Sequence, residues 1–402
     1  MAEITRQEIE DLPTPSSHAP SITNVKHLSS YNWIEAPTPT IAVPGSPALW
    51  SPPSAPRQLQ KDSGFLYIGQ NAARHPDSPL EPLFRALHIT NPSFNLKTID
   101  VVTDRNNIRK LLSFVSPGTN IHGTDPFTIT IEFVKDTAIF CRDETKTYEI
   151  IGPNEFRGFG HNFEKVYTKD QLNGSTGHHR IITYRFGGLN FIVRHETDGY
   201  LAKPTQSYNK SGGDILSDAL QSLSLTRTPA KPVAGSKLSI RREGETVPLG
   251  STLEIKTRVA HRLLNIQDVA PQLWLSQTPN LVRAYHNRGL FPVPAVEDVA
   301  EDIDFWEERN NRDLAKLAAL VHRILSLAKK IGGSVVVKYD GFGDKLQLSK
   351  ISRKKMLPED IYSLWDDAKV SQNPDFESFT DTVDKVTPAK TFPGTEKEVK
   401  KK

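Results

Sequence analysis

The segment between residues 194 and 257 constrains this chain most, because it contains two strand-like runs that carry acidic residues. Glu196 and Asp198 follow the first alternating run, and Glu254 and Lys256 lie inside the second. Side chains two positions apart on a strand point to the same face of a sheet. If the two strands are neighbours, three carboxylates and one ammonium group lie close together.

These residue types favour one kind of chemistry. Clustered carboxylates repel one another and raise each other's pKa unless a cation neutralises them. Their oxygens suit Mg²⁺ or Mn²⁺, and a nearby lysine can orient a water molecule that attacks a phosphate. The pattern therefore indicates a metal-dependent phosphodiesterase. The alternative is chance, because the chain is 24% charged and a Lys–Glu pair on a strand is commonly a surface ion pair worth about 0–1 kcal/mol.

The composition of the 402 residues excludes several other classes. A net charge of +3 gives no strong footprint for nucleic acid, so a nucleic-acid enzyme would have to concentrate its basic residues in a cleft. The single cysteine, Cys141, excludes intramolecular disulfides and multi-cysteine zinc sites. The first residues lack the features of a signal peptide, and no apolar run approaches the ~20 residues that span a bilayer. We expect a soluble, intracellular protein with no membrane association.

The distribution of Pro, Ser and Lys predicts one folded domain with two tails. Residues 1–24 are rich in Pro and Ser, and residues 356–402 are polar and Lys-rich, which predicts flexible segments. The folded domain is expected over residues 25–355. Within it, residues 201–237 are dominated by Pro, Ser, Gly, Thr and Lys, which predicts a mobile insertion between two strands of one sheet.

Two charged residues upstream lie near predicted helix starts. A strand ending at Thr103 precedes a helix, so Arg105 lies where a guanidinium can reach a phosphate beside helix N-terminal amides. The alternative for Arg105 is a surface position. Glu164 is predicted in the first turn of a helix that opens after Gly160. An acid there is ordinarily a capping or dipole residue, and the functional alternative is a fourth carboxylate at the metal site.

The remaining pattern alternates between strands and helices along the chain. Strict alternation predicts paired strands, and apolar residues at helical spacing predict helices. Together they predict an α/β (α+β) fold, a single domain with a mixed central sheet and flanking helices. The segments are a strand pair over 127–142, a hairpin over 178–195, a mostly helical region over 262–285, a long amphipathic helix within 297–330 and a hairpin over 334–350.

The ordered motifs resemble those of the DXO-type decapping exoribonucleases, whose fungal relatives partner a nuclear 5′–3′ exoribonuclease. That family has an arginine after a strand, then Gly-Φ-x-Φ-Glu, Glu-x-Asp and Glu-Φ-Lys, where Φ is apolar or aromatic. His161 departs from the first Φ, Asn106 stands where the family has glycine, and the loop before the last motif is longer. The matching segments are Asp100 to Arg105, Gly160-His161-Asn162-Phe163-Glu164, Glu196-Thr197-Asp198 and Glu254-Ile255-Lys256.

The resemblance implies a nuclease core of the PD-(D/E)xK kind with a two-ion site for Mg²⁺ or Mn²⁺. It implies that Glu164, Asp198 and Glu254 bind the first ion. The backbone carbonyl of Ile255 would add a ligand to that ion, and Glu196 would help to hold the second. Two ions a few Å apart can stabilise both the attacking and the leaving oxygen of a phosphoryl displacement.

The resemblance also implies roles outside the metal site. Lys256 would orient the attacking water, and Arg105 and Gln277 would position the scissile phosphate. The implied activity is hydrolysis at the 5′ end of RNA carrying a triphosphate, an incomplete cap or a nicotinamide-type cap. Which end is preferred, and whether 5′–3′ exonuclease activity follows, are left open. The implied partners are the RNA 5′ end and a nuclear 5′–3′ exoribonuclease, and the implied location is the nucleus, with the cytoplasm as the alternative.

Two rival functions remain open from the residues. A DNA nuclease of the same core would keep the carboxylates and the lysine but would not prefer RNA. A non-catalytic RNA-binding or scaffold protein would keep the fold and be free to lose the clustered charges. A nucleotide-cofactor enzyme has no support, because the sequence contains neither Gly-x-Gly-x-x-Gly nor Gly-x-x-x-x-Gly-Lys-Ser/Thr.

Overall fold

The structure is a computed structural model that describes residues 1–12, 20–117, 125–202 and 229–366. The described residues belong to one compact unit, Met1–Asp366. Most of the predicted insertion and the end of the predicted C-terminal tail lie outside the described residues.

Most strands are short, and the two longest, Thr23–Ile34 and Ser175–Phe186, have 12 residues each. In chain order they are β1 Ala2–Thr5, β2 Thr23–Ile34, β3 Thr40–Pro44, β4 Leu49–Trp50, β5 Arg57–Gln58, β6 Gly64–Tyr67, β7 Val101–Asp104, β8 Phe127–Val134, β9 Thr137–Asp143, β10 Tyr148–Ile151, β11 Thr168–Lys169, β12 Ser175–Phe186, β13 Leu189–Thr197, β14 Gly199–Tyr200, β15 Lys231–Pro232, β16 Ser239–Glu243, β17 Thr252–Val259, β18 Asn280–His286, β19 Leu290–Phe291, β20 Glu297–Asp298, β21 Ser334–Tyr339 and β22 Lys345–Ile351.

The helices lie between these strands and cover the sheets. Among the described residues, none of them has the length and apolar character needed to cross a membrane. In chain order they are α1 Arg6–Asp11, α2 Gln70–Arg74, α3 Glu81–Thr90, α4 Arg105–Val115, α5 Gly160–Tyr167, α6 Ile266–Ser276, α7 Ala300–Arg309, α8 Asn311–Ile331 and α9 Glu359–Tyr362.

Two mixed sheets organise the molecule. The larger sheet has the strand order β1-β22-β21-β8-β9-β7-β13-β12-β2-β3-β16-β15, and the smaller has the order β11-β4-β14-β17-β18-β20. Strand β13 is parallel to β7 and antiparallel to β12. Strand β17 is parallel to β18 and antiparallel to β14. The predicted α/β fold class, with a mixed sheet and flanking helices, is confirmed.

The larger sheet buries both of its faces. Successive side chains of a strand point to opposite faces, so neighbouring residues of β12 enter different cores. Ile182 packs in the cluster that contains Leu111 and Leu273 from α4 and α6. Ile181 packs in the cluster that contains Leu83 of α3. This double covering explains why the central strands are apolar on both sides.

The ends of the described unit differ from the predicted flexible tails. At the N-terminus, β1 pairs with β22, and Ile4 and Ile9 are buried. At the other end, Ile361 and Trp365 are buried, and the Trp365 indole donates a hydrogen bond to Thr137 Oγ1 over 2.8 Å. A few apolar residues order each end because they complete the edge or the cover of the large sheet. Composition averaged over the segment hides that contribution.

Two other predictions need correction. The region 262–285 was predicted as mostly helical, but α6 ends at Ser276 and the chain then forms β18 beside β17. The predicted helix within 297–330 is two helices, α7 and α8, which meet at Asn310. The strands that the pattern placed on either side of the insertion are β13 and β16, and both belong to the larger sheet. Sheet membership depends on long-range pairing that local pattern does not encode.

Candidate active site

The two sheets meet where the chain leaves β13 and enters β14. Strand β13 belongs to the larger sheet and β14 to the smaller, so Asp198 lies at the crossing between them. Glu196 is two residues earlier, where the alternation of a strand puts it on the same side as Asp198. Gly177 of β12 makes room there, because a Cβ at that position would lie 3.0 Å from Glu196 Oε1. The first acidic pair is therefore held at the seam of the fold.

Strand β17 brings the second pair to the same seam. Gly199 of β14 is opposite Leu253 of β17, and the Ile255 backbone N–H donates a hydrogen bond to Asp198 Oδ2 over 2.7 Å. Glu254 is buried, and the Lys256 ammonium donates to Glu254 Oε1. The sequence-predicted neighbours are thus brought together by a short antiparallel pairing.

Helix α5 supplies Glu164 from the other side. Its first turn is fixed by the buried carboxylate of Asp62, which accepts hydrogen bonds from the backbone N–H groups of Asn162 (2.9 Å) and His161 (3.2 Å). Because the helix begins at Gly160, Glu164 lies beyond the first turn, which corrects the sequence prediction. Asp62 is a positioning residue that no sequence signal pointed to, since it lies a hundred residues away.

Arg105 lies at the start of α4, next to the carboxylates. Its Nη1 atom is 3.6 Å from Glu254 Oε2 and is buried without a hydrogen-bond partner among the described residues. The preceding residue, Asp104, is held by the buried guanidinium of Arg194 through two hydrogen bonds of 2.6 and 3.0 Å. Arg194 also donates to the Tyr31 hydroxyl over 3.1 Å. This network fixes where α4 begins and therefore where Arg105 stands.

Gln272 of α6 and Gln277, the residue that caps its C-terminus, have different surroundings. Gln277 adopts a left-handed conformation at the C-terminal cap of the helix (φ +54°), and its amide donates to the carbonyl of Trp274 over 2.6 Å. The Gln272 amide instead donates to Glu254 Oε1. Among the described residues, Gln277 makes no hydrogen bond to the carboxylates, whereas Gln272 donates one to Glu254. Nothing in the sequence pointed to Gln272 except that it lies on the helix that ends at Gln277.

Mutual repulsion and burial change the protonation of these groups. Burial, followed by the charge of Glu254, raises the pKa of Asp198 to about 8. Burial and the charges of Asp198 and Glu196 raise the pKa of Glu164 well above its usual range. These shifts are those of an acidic site that lacks enough positive charge.

Glu254 is the one carboxylate of the cluster whose pKa is lowered. Burial alone would raise its pKa, but the charges of Lys256 and Arg105 outweigh that effect. In return, Glu254 and Asp198 raise the pKa of Lys256 against the effect of its burial. Glu254 and Lys256 therefore form a charged pair, whereas the pKa values of Asp198 and Glu164 are raised, an effect that a bound cation would oppose.

The donor chemistry of the cluster fits a divalent metal. Glu164, Glu196, Asp198 and Glu254 offer only hard carboxylate oxygens, which suit Mg²⁺ or Mn²⁺. In the part of the chain that the structure describes, no three such side chains stand in the arrangement of a formed metal centre. The carboxylates are instead engaged with other groups, because Lys256 donates a hydrogen bond to Glu254 and the Ile255 backbone N–H donates one to Asp198. Metal binding would replace these contacts.

Two cavities meet at α5. A cavity of about 1200 Å³ is lined by His161 and Glu164 together with residues of the β17 end. A cavity of about 590 Å³ is lined by Glu164, Glu196 and Asp198. Both are bounded by the C-terminal end of β6, at Leu66 and Tyr67. The carboxylates are therefore reachable from two sides of the β6 strand.

Comparison with known proteins gives one family and one fold. The family model described as "Domain of unknown function (DUF8563)" matches residues 4–365. No curated protein sequence matches the chain.

Solved structures of Rai1 proteins share the fold. Rai1 of S. pombe has 12% identity and a TM-score of 0.55, with 87% of this chain and 99% of that chain covered. Candida albicans Rai1 in complex with pU5 and Mn²⁺ has 14% identity and a TM-score of 0.56, with 91% and 99% covered. Scheffersomyces stipitis Rai1 in complex with (3′-NADP)⁺ and calcium has 13% identity and a TM-score of 0.55, with 90% and 97% covered. The predicted resemblance is confirmed for the fold.

Proposed function

The chain belongs to the family described as a domain of unknown function (DUF8563), and we propose that it is a divalent-metal-dependent hydrolase acting on the 5′ end of RNA. The observation that carries the proposal is the convergence of Glu164, Asp198 and Glu254 with Lys256 at the seam of the two sheets. Such a cluster is expensive to bury unless cations complete it. A structural role alone does not account for that cost.

Each side chain has a task that follows from its surroundings. Glu164, Glu196, Asp198 and Glu254, with the Ile255 carbonyl, would hold the metal. The bound ions would polarise the phosphate and activate a water molecule. Lys256 stays protonated because its pKa is raised, so it can donate a hydrogen bond to the attacking water.

The phosphate-binding groups lie beside the carboxylates. Arg105 offers a buried Nη1 group with no hydrogen-bond partner among the described residues, and a guanidinium suits a phosphate oxygen. We assign the glutamine role on α6 to Gln272, which touches Glu254, and keep Gln277 as the sequence-based candidate. The positioned donors would stabilise the charge that develops on the phosphate.

The ligands named for the structural relatives support the choice of substrate. One relative is in complex with pU5 and Mn²⁺ and another with (3′-NADP)⁺ and calcium. By extension, we propose that this chain acts on RNA ends with a triphosphate, an incomplete cap or a nicotinamide-type cap. A nuclear location and a 5′–3′ exoribonuclease partner belong to the same proposal; imaging of the tagged chain and co-purification would test them.

Metal-dependent hydrolysis is the direct test. Purified protein is incubated with 5′-triphosphate RNA and nicotinamide-capped RNA in Mg²⁺ or Mn²⁺, and the 5′ product is measured for wild type and Glu254→Ala. We expect release by wild type only. Tight RNA binding without hydrolysis under either metal would favour the scaffold alternative. Equal cleavage of matched RNA and DNA oligonucleotides would favour the DNA nuclease.

A further inference from the structure

The larger cavity carries a group of arginines that have no acidic partner in the described part of the chain. Arg258, Arg262 and Arg288 line it and are exposed. A fourth arginine, Arg157, lines it as well and is paired with Glu149 over 2.7 Å. Surface arginines usually have mixed surroundings, so several unpaired cations around one cavity make a positive field there.

Strand β17 connects this group to the carboxylates. Glu254, Lys256 and Arg258 share one face of the strand, because they are two positions apart. Consecutive members are therefore about 7 Å apart along the strand. The face changes from carboxylate to ammonium to guanidinium as it runs from the seam into the larger cavity. A polyanion bound along it would have one end at the carboxylates.

Arg288 is presented by a constrained turn. Its backbone is left-handed (φ +49°), which is uncommon for a residue with a side chain. The next residue, Gly289, packs so closely that a Cβ there would lie 2.7 Å from the Phe159 ring. The turn is closed by the bridge between Asn287 and Leu290. Strain of this kind is retained where the surrounding structure imposes it, and here it holds a guanidinium at the cavity.

The same cavity has an apolar wall. Phe156 is 63% exposed and Ile68 is 43% exposed, and both line the cavity. Phe156 is held edge-on against Phe159, with ring centroids 5.5 Å apart. Exposed aromatic side chains beside a basic groove are the means by which proteins stack the bases of a single strand. A volume of about 1200 Å³ exceeds the roughly 300–1,000 Å³ of most small-molecule pockets.

The smaller cavity offers the opposite surroundings. Among the described residues, its lining includes Glu164, Glu196, Asp198 and Asp170, and one lysine without an acidic partner, Lys165. A chain of phosphates is disfavoured there. We propose that the larger cavity binds the single-stranded RNA body downstream of the 5′ end, with phosphates at Arg258, Arg262 and Arg288 and bases against Phe156 and Ile68. The inference rests on the proposed function, because it assumes that the polyanion is RNA.

Salt-dependent binding tests this assignment. The triple variant Arg258→Gln, Arg262→Gln, Arg288→Gln is compared with a matched triple that removes equal charge from exposed arginines elsewhere. The matched positions are Arg185, Arg309 and Arg353. Fluorescence anisotropy of a 5′-phosphorylated RNA about ten nucleotides long, within the site sizes of single-strand binders, gives affinity at several salt concentrations. Hydrolysis of a 5′-triphosphate dinucleotide is measured in parallel.

We expect the cavity triple to lose tenfold or more in affinity for the longer RNA. The slope of log affinity against log salt should fall by about 2, since each single-strand phosphate contact contributes about 0.7. The matched triple should keep the wild-type slope, and both triples should hydrolyse the dinucleotide at the wild-type rate. Equal weakening by the matched triple, or an unchanged slope in the cavity triple, would overturn the assignment.

The design separates this inference from the proposed function. Loss of salt-dependent RNA binding in the cavity triple, with no hydrolysis by wild type under either metal, would support the RNA site and reject the enzyme. Hydrolysis by wild type, with RNA binding unaffected by the cavity triple, would reject the RNA site and support the enzyme. Melting temperatures of both triples should equal that of wild type, because all six arginines are exposed.

Discussion

The two cavities that meet at Glu164 are opposite in charge, although the same strand, β6, and the same helix, α5, bound them both. In the smaller cavity the carboxylates are drawn together at the seam of two sheets, and burial and the neighbouring carboxylates raise the pKa values of Glu164 and Asp198. In the larger cavity Arg258 and its neighbours remain exposed and keep their hydration. Crowded, half-buried carboxylates need a bound cation to offset their repulsion, whereas exposed arginines are available to bind a negatively charged partner.

The largest effect should come from neutralising the carboxylate that both cations contact. Glu254→Gln keeps the shape but removes the charge that pairs with Lys256 and Arg105. We expect hydrolysis of 5′-triphosphate RNA to fall on the order of 10³-fold, as when a positioned charge-stabilising group is lost. Glu308→Gln, at an exposed position of α7, is the control and should retain activity. Full activity of Glu254→Gln would show that hydrolysis does not depend on the carboxylates of the smaller cavity.

The stability of the fold should depend on the partner of the buried Arg194 guanidinium far more than on the surroundings of the exposed arginines in the larger cavity. Asp104→Asn leaves the Arg194 guanidinium buried without a carboxylate, and we expect a loss of about 3–5 kcal/mol in the free energy of unfolding. Asp143→Asn, at an exposed end of β9, should change it little. Adding Arg194→Met to Asp104→Asn should recover part of the loss in urea unfolding, because no charge is left buried. No recovery would mean that the pair acts mainly through packing.

Two single substitutions, at Gln272 and at Gln277, test which glutamine belongs to the acidic site. Gln272→Ala removes an amide that contacts Glu254, and we expect a 10- to 100-fold loss of activity, in the range for groups that orient a metal ligand. Gln277→Ala removes a side chain bonded to the Trp274 carbonyl and should leave kcat/KM near the wild-type value. The opposite result would restore the original sequence-based assignment of Gln277.

We also expect a dependence of stability on pH in the metal-free chain. The folded pKa of Asp198 is raised to about 8, above the roughly 3.9 of an unfolded chain. This contribution to stability is therefore fully present below pH 4 and is lost as the pH rises through 8. Unfolding by urea in chelator should show this loss in wild type, and Asp198→Asn should flatten it. If the stability of wild type instead rose between pH 4 and pH 8 while that of Asp198→Asn did not, the raised pKa of Asp198 would be contradicted.

The sequence was sufficient for the strands that carry the motifs. Alternation predicted β13 and β17, and the two-residue spacing correctly predicted that Glu254 and Lys256 share a face. These successes rest on local geometry, which the order of residues fixes.

The failures have a common physical cause. Residues 280–285 belonged to a region that was predicted as mostly helical, but they pair with β17 as a strand. The N-terminal segment was predicted as a flexible tail, yet pairing with β22 orders β1. In each case a contact between distant residues made the decision.

By itself, the sequence determined which residues could perform metal chemistry and which strands would carry them, because side-chain type and alternation are local properties. Tertiary structure alone decided that β13 crosses from one sheet to the other at Asp198, that Asp62 caps the helix bearing Glu164, and that Arg258 opens into the larger cavity. These facts depend on which strands pair and which loops close around them. Such pairings are set by the packing of the whole chain, since local β preference is weak against burial and neighbour contacts.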